Sequence, residues 1–136
     1  MTGFILDPRL ENDSLFVLDG PLSQLRLSTN AAFPWLLLVP RRAEIVEIID
    51  LAIGEQEILL TEIRAASDVV KKLFAPKKIN VANLGNVVAQ LHVHVVARYE
   101  NDPAWPGPIW GRGITKDYGR GETDKIIADI THEWKI

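Results

Sequence analysis

The chain has no cysteine. That excludes a disulfide framework, a thiolate nucleophile and any zinc ribbon built on Cys ligands. It also has little net charge, −3 from 15 Lys and Arg against 18 Asp and Glu, so no general electrostatic pull draws it to nucleic acid. The basic pairs Arg41-Arg42, Lys71-Lys72 and Lys77-Lys78 form no stripe interleaved with aromatics and read as solvated surface charge. Long apolar runs are missing too. The strongest, Ala31 to Val39, is interrupted by Pro34 and falls far short of the roughly 18 residues a membrane-spanning helix needs. The opening segment, Met1 to Asp7, lacks the basic leader and sustained apolar stretch of a signal peptide. No membrane partner and a cytoplasmic location are therefore expected.

What is present is the composition of a folded domain. Hydrophobic residues make up 47% and charged residues 24% of the 136, which argues against disorder and coiled coil. The length predicts one domain spanning residues 1–136.

Ser14 to Leu18 is a compact β-type run, and Asp19-Gly20 behind it is a hairpin signal. Leu22 to Ser28 resumes with alternating Leu25, Arg26 and Leu27, and Trp35 to Val39 is a third strand bracketed by prolines. Glu44 to Leu51 reads as a short helix with Gly54 as a break. From Glu55, the residues Leu59, Ile63, Ala66, Val70 and Leu73 recur at intervals of three and four. That spacing predicts one face of an amphipathic helix stopped by Pro76. Lys78 to Ala82 and Gln90 to Arg98 complete a set of about five strands. Strands, then helix, then strands favours an α+β antiparallel sheet with the long helix on one face. A C-terminal helix follows from Ile126, Ile127, Ile130 and Trp134, with Thr123 or Asp124 as its cap.

Residues 101–121 stand apart, holding five of the nine glycines, three of the eight prolines and two of the four tryptophans. So long a segment without regular structure is usually functional. Trp105 and Trp110 predict that it is ordered, over a site or a subunit interface.

The chemistry-bearing segment is Gln90-Leu-His-Val-His-Val-Val96. Alternate side chains of a strand share a face, so Gln90, His92 and His94 form a polar strip, each His about 6.6 Å from the next. Leu91, Val93 and Val95 take the other face, and Arg98 is assigned to it with them. Two imidazoles side by side suit two uses. A neutral ring nitrogen can attack phosphorus or carbon while its neighbour binds the anionic group. Alternatively, both can ligate a metal if carboxylates such as Asp102, or a distant His132, add to them. The pattern is equally that of two partly exposed histidines on an edge strand. Asn83 and Asn86 could donate to a phosphate or ribose, or simply serve the turn. Trp35 and Phe33 could flank a base or pack in the core. His132 near a helix C-terminus suits the dipole as a surface cation.

The segment resembles the signature of the histidine triad (HIT) family, His-x-His-x-His followed by two apolar residues, here Gln90-x-His92-x-His94-Val95-Val96. Phe33-Pro-Trp-Leu-Leu-Leu-Val-Pro40 is similar to that family's strand ending in an apolar-Pro pair. The long helix stands where the family has one, and Asn83-Leu-Gly-Asn86 resembles its phosphate-side loop. The resemblance covers roughly residues 14–110. It implies cleavage of a nucleoside phosphoramidate or dinucleoside polyphosphate at the α-phosphate, through a nucleotidyl intermediate on His92. In that reading His94 serves the phosphate side and Gln90 orients the site through hydrogen bonds. Asn83, Asn86 and Trp35 fall at nucleotide or phosphate contacts. The resemblance further implies no metal or other cofactor, and a homodimer that extends the sheet.

Three positions depart from the family pattern. Gln90 replaces the first His and can carry no charge, Trp35 stands where a further His is usual, and Val87 replaces a hydroxyl residue. These departures leave open an alternative: a nucleotide-binding module with weak turnover or none.

Overall fold

The computed structural model describes residues 3–136; Met1 and Thr2, the start of the segment read above for a leader, lie outside the described residues. Strands β1 (Ser14–Asp19), β2 (Ser23–Ser28), β3 (Trp35–Pro40), β4 (Lys78–Ala82) and β5 (Val93–Arg98) form one antiparallel sheet. Their order is β1-β2-β3-β5-β4. Helices α1 (Pro8–Asn12), α2 (Ile53–Phe74) and α3 (Glu122–Glu133) accompany it. This is the α+β architecture read from the sequence.

One face of the sheet is apolar because the strands alternate. Leu25, Leu27, Leu36, Leu38, Val93, Val95 and Ala97 bury themselves against Leu59, Ala66, Val69 and Val70 of α2 and Ile130 of α3. Each fully buried Leu contributes about 1.5–3 kcal/mol. Glu62 lies on the buried stripe of α2, and its Oε2 accepts from the backbone N–H groups of Leu22 (3.0 Å) and Ser23 (2.8 Å). The helix thereby closes the β1–β2 turn. A Cβ at Gly20 would lie 2.5 Å from that same oxygen, so a larger residue there would push the Glu62 carboxylate out of its place at the turn.

Several boundaries differ from expectation for local reasons. The anticipated helix over 44–51 is only a 3₁₀ turn, Ile48–Asp50, because the Asp50 carboxylate accepts from the N–H groups of Val46 and Glu47 and folds the segment back. Gly54 does not break α2 but lies in its first turn. The cap of α3 is Gly121, at φ +81°, and Thr123 and Asp124 fall inside the helix instead. Helix α1 was not anticipated, since five residues show no period. Asp7 caps it by accepting from Arg9 N–H (2.9 Å), with Pro8 at its first position.

Arg98 corrects the sequence reading. It is 2% exposed and shares the parity of His92 and His94, so it lies on their face of the sheet and not on that of Leu91. Its guanidinium donates to Asp102 (2.8 and 3.1 Å), to Asn80 Oδ1 (2.8 Å) and to the Gly107 carbonyl (2.8 Å). The rings of Phe33 and Trp105 lie 5.7 and 5.8 Å from it. Phe33 is accordingly core, packed with Val96, Ala104 and Ile109. Burial alone would raise the Asp102 carboxyl. Hydrogen bonds from Arg98 and from the N–H groups of Tyr99, Ala104 and Trp105 outweigh it and hold the group well below the usual carboxylate range.

Removing one partner of a buried pair strands the other charge. Asp102→Ala should therefore lower stability by about 3–5 kcal/mol in urea denaturation. Because the folded carboxyl is depressed, its contribution is complete above the unfolded value of about 3.9. It is lost as pH falls below that value, a loss the variant should no longer show.

Candidate functional site

The histidines lie on the sheet face opposite α2. Strand β5 is interior, with Leu37 of β3 and Ala82 of β4 in register with His94. Each His is only 5% exposed. They are therefore not partly exposed residues of an edge strand. Their rings stand 4.9 Å apart, edge to face.

Hydrogen-bonding partners determine where each ring carries its proton. His92 Nδ1 lies 2.7 Å from the Gln90 backbone carbonyl. A carbonyl only accepts, so Nδ1 holds a proton, and in the neutral ring the free lone pair is on Nε2. For His94 the arrangement is reversed. The indole N–H of Trp35 donates to its Nδ1 at 3.0 Å, so that nitrogen is bare. Burial first, and the neighbouring His92 second, push His94 down to about 4. Trp110 completes the surroundings, its ring 5.2 Å from His94 and 6.4 Å from Trp35.

Two adjoining cavities open on the pair. The larger, about 470 Å³, is walled by Leu84 to Val88, Trp35, Trp110 and Gly111 together with both histidines. The smaller, about 210 Å³, reaches Leu10, Asp13, Ser14, Ser28 and Leu37. A polar recess of about 380 Å³ continues past Trp35 to Asn30, Thr115, Lys116 and Asp117. Among the described residues no Lys or Arg lines either cavity at the histidines.

The other candidate residues fare differently. Asn86 lines the larger cavity, and so does Val87, which is 81% exposed. Asn83, at the end of β4, is not among the lining residues. Gln90 precedes β5 instead of opening it, and its side chain leaves the strip. Its Oε1 accepts from Asp7 N–H (2.8 Å) and its Nε2 donates to the Ile5 carbonyl (2.9 Å). Only its backbone carbonyl serves His92. Arg9 adds a second tie from the N-terminal segment, donating to the Val87 carbonyl at 3.0 Å. Asp102 is committed to Arg98 and His132 is exposed on α3. Among the described residues no three His, Asp or Glu side chains are grouped as a metal site would require. Trp110 was the residue sequence reasoning came nearest to finding, through its unusual loop. Leu10, Asp13 and Ser28 gave no signal of their own.

A five-stranded α+β sheet with His-x-His at the start of its interior strand, both residues lining one cavity, defines a protein of the histidine triad class. The chain belongs to the HIT family, whose domain profile matches residues 9–101, more than half of it. It is similar to a histidine triad protein from Bradyrhizobium japonicum, at 41% identity over 98% of this chain and 99% of that one, with a TM-score of 0.95. A histidine triad protein from Sinorhizobium meliloti shows 43% identity over 98% of both chains, with a TM-score of 0.94. At 15% identity, a hypothetical histidine triad nucleotide-binding protein from Sulfolobus tokodaii shares the fold, over 88% of this chain and 83% of that one, with a TM-score of 0.66. No curated protein matches the chain. Among the described residues no helix is long and apolar enough to cross a membrane.

The position of Gln90 predicts a result that its motif position does not. Gln90→Ala should cost about 1–2 kcal/mol and speed hydrogen exchange at the Asp7 amide, leaving the His92 Nδ1 contact in place because that contact is to backbone. Loss of the His92 contact, seen in its ring ¹⁵N shifts, would contradict this assignment.

Proposed function

We propose that the protein is a nucleotide-binding hydrolase or transferase that acts on a nucleotide conjugate at its α-phosphorus. The observation that carries this reading is the opposed tautomers of the two buried rings. They offer a lone pair on His92 Nε2 and a proton on His94 Nε2 to one cavity. His92 Nε2 attacks phosphorus, and the bond to the leaving group breaks as the N–P bond forms. The departing group takes a proton from solvent water. Water then attacks the same phosphorus, its P–O bond replaces the N–P bond, and a nucleoside monophosphate leaves with one proton released to solvent. His94 donates to a phosphoryl oxygen, the Asn86 amide stands at the wall where a phosphate or ribose would lie, and Trp35 supports His94. Gln90 takes part through its backbone carbonyl alone. The histidine triad nucleotide-binding protein that shares the fold is in keeping with this reading.

The charge of the walls favours one substrate class. With Asp13 present and, among the described residues, no Lys or Arg lining the two cavities, a polyphosphate chain would bring several negative charges to the histidines and meet a cation, Lys116, only in the recess beyond Trp35. A phosphoramidate carries a single charge at phosphorus and fits. The same reading includes a cytoplasmic homodimer, joined at a free sheet edge, β1 or β4.

The test is AMP release from adenosine 5′-phosphoramidate, with diadenosine tetraphosphate as the comparison. Wild type should turn over the phosphoramidate faster. His92→Ala should lose at least about a thousandfold. Calorimetric binding of AMP without turnover in either protein would support the binding-module alternative, and no binding would overturn the nucleotide reading.

A further inference from the structure

We propose that Trp35 is a positioning residue that holds His94 as a neutral imidazole with its one proton on Nε2, so that His94 meets its ligand as an uncharged hydrogen-bond donor. An indole N–H can donate but never accept. At 3.0 Å from Nδ1 it requires a lone pair there. Charging the ring would place an N–H on Nδ1 directly against the indole N–H, two donors with no acceptor between them. The contact must then break, leaving the indole N–H of Trp35 without an acceptor. Its backbone is paired in β3 opposite Val96, and Trp110 meets its ring edge-on.

The groups packed around His94 do little to oppose this. Just before β5, His92 is the next ring on the same face, 4.9 Å away, and disfavours a second positive charge. Arg98, further along, is turned into Asp102. Across the sheet, Leu37 and Ala82 flank His94 without charge. The 84–88 loop and the Trp110-Gly111 segment contribute no titratable side chain. From the N-terminal side, Asp7 is paired with Arg9 at 3.0 Å. Among the described residues Asp13 is the one carboxylate lining a cavity with His94, and it would favour an imidazolium. Burial and the His92 charge act in the other direction, in keeping with the low value given above.

Trp35 thus replaces a titratable side chain with a permanent donor, and the site binds an anionic oxygen without supplying a charge of its own through His94. This consequence rests on the proposed function, but the tautomer does not, because it is read in the free protein. Long-range ¹H–¹⁵N correlation of the imidazole rings, titrated from pH 8 to 3, should show His94 with an unprotonated Nδ1 and a protonated Nε2 down to pH 5 and a second ring proton only below it. In Trp35→Phe the proton should spread over both nitrogens and the midpoint should rise by about one pH unit, the equivalent of one ordinary hydrogen bond. AMP affinity should then gain a pH dependence on the His94 side that wild type lacks. A wild-type spectrum with the proton on Nδ1, or a His94 midpoint above pH 6, overturns the proposal. So does a His94 spectrum unchanged by the substitution. If the variant fails to fold, the wild-type spectrum still decides. Failure of AMP to bind at all would count against the proposed function and leave the tautomer assignment standing.

Discussion

A buried guanidinium must find acceptors on every side, and much of the site follows from where Arg98 finds them. It closes strand β5 on the face that also carries His92 and His94. Its partners are Asn80 on the neighbouring strand, and Asp102 and the Gly107 carbonyl in the long segment beyond. Satisfying Arg98 therefore folds residues 101–110 back over the sheet. The return delivers Trp110 to the rim of the histidine cavity, where it closes on His94 and Trp35. A segment rich in glycine and proline acquires a defined course because one cation beneath it would otherwise be stranded.

Much of this was legible in the sequence, for reasons that also explain the failures. Helix α2 announces itself through a period of three to four and β2 and β5 through a period of two, while β1, β3 and β4 read as short apolar runs between turn residues; β3 and β5 are in fact buried on both faces. The two histidines belong to that pattern. Arg98 belongs to it as well: residues 92, 94, 96 and 98 share one face by the same two-residue period, so its placement was available to counting. Gln90 was lost for a different reason. Alternation holds only inside a strand, and β5 begins at Val93, which frees Gln90 to turn toward Ile5 and Asp7. Those partners lie more than eighty residues away and no periodicity marks them. The bond from Trp35 to His94 was equally out of reach, since it depends on the register of β3 against β5.

The departures from the family pattern acquire distinct meanings in the fold. Gln90 fastens the N-terminal segment beside the cavity, with Arg9 tying it to Val87. Trp35 keeps the contact to the third motif position but offers a donor that cannot ionise. Val87 leaves an apolar, exposed wall. Together they give a histidine site with fewer charges and more aromatic surface, in which tautomers are settled by fixed partners on either side of the pair.

The sheet order has a bearing on how the molecule comes into being. Strand β4 pairs only with β5, and β5 alone connects it to β3. On a ribosome, β5 is the last of the five strands to emerge. Until it does, β4 has no neighbour and the open flank of β3 has no occupant. The insertion that unites the two halves of the sheet is the same event that brings both imidazoles to it. The histidine pair therefore takes its place in the sheet with the closing long-range pairing, and the Trp110 segment and α3, which follow β5 in the chain, complete the fold around it afterwards.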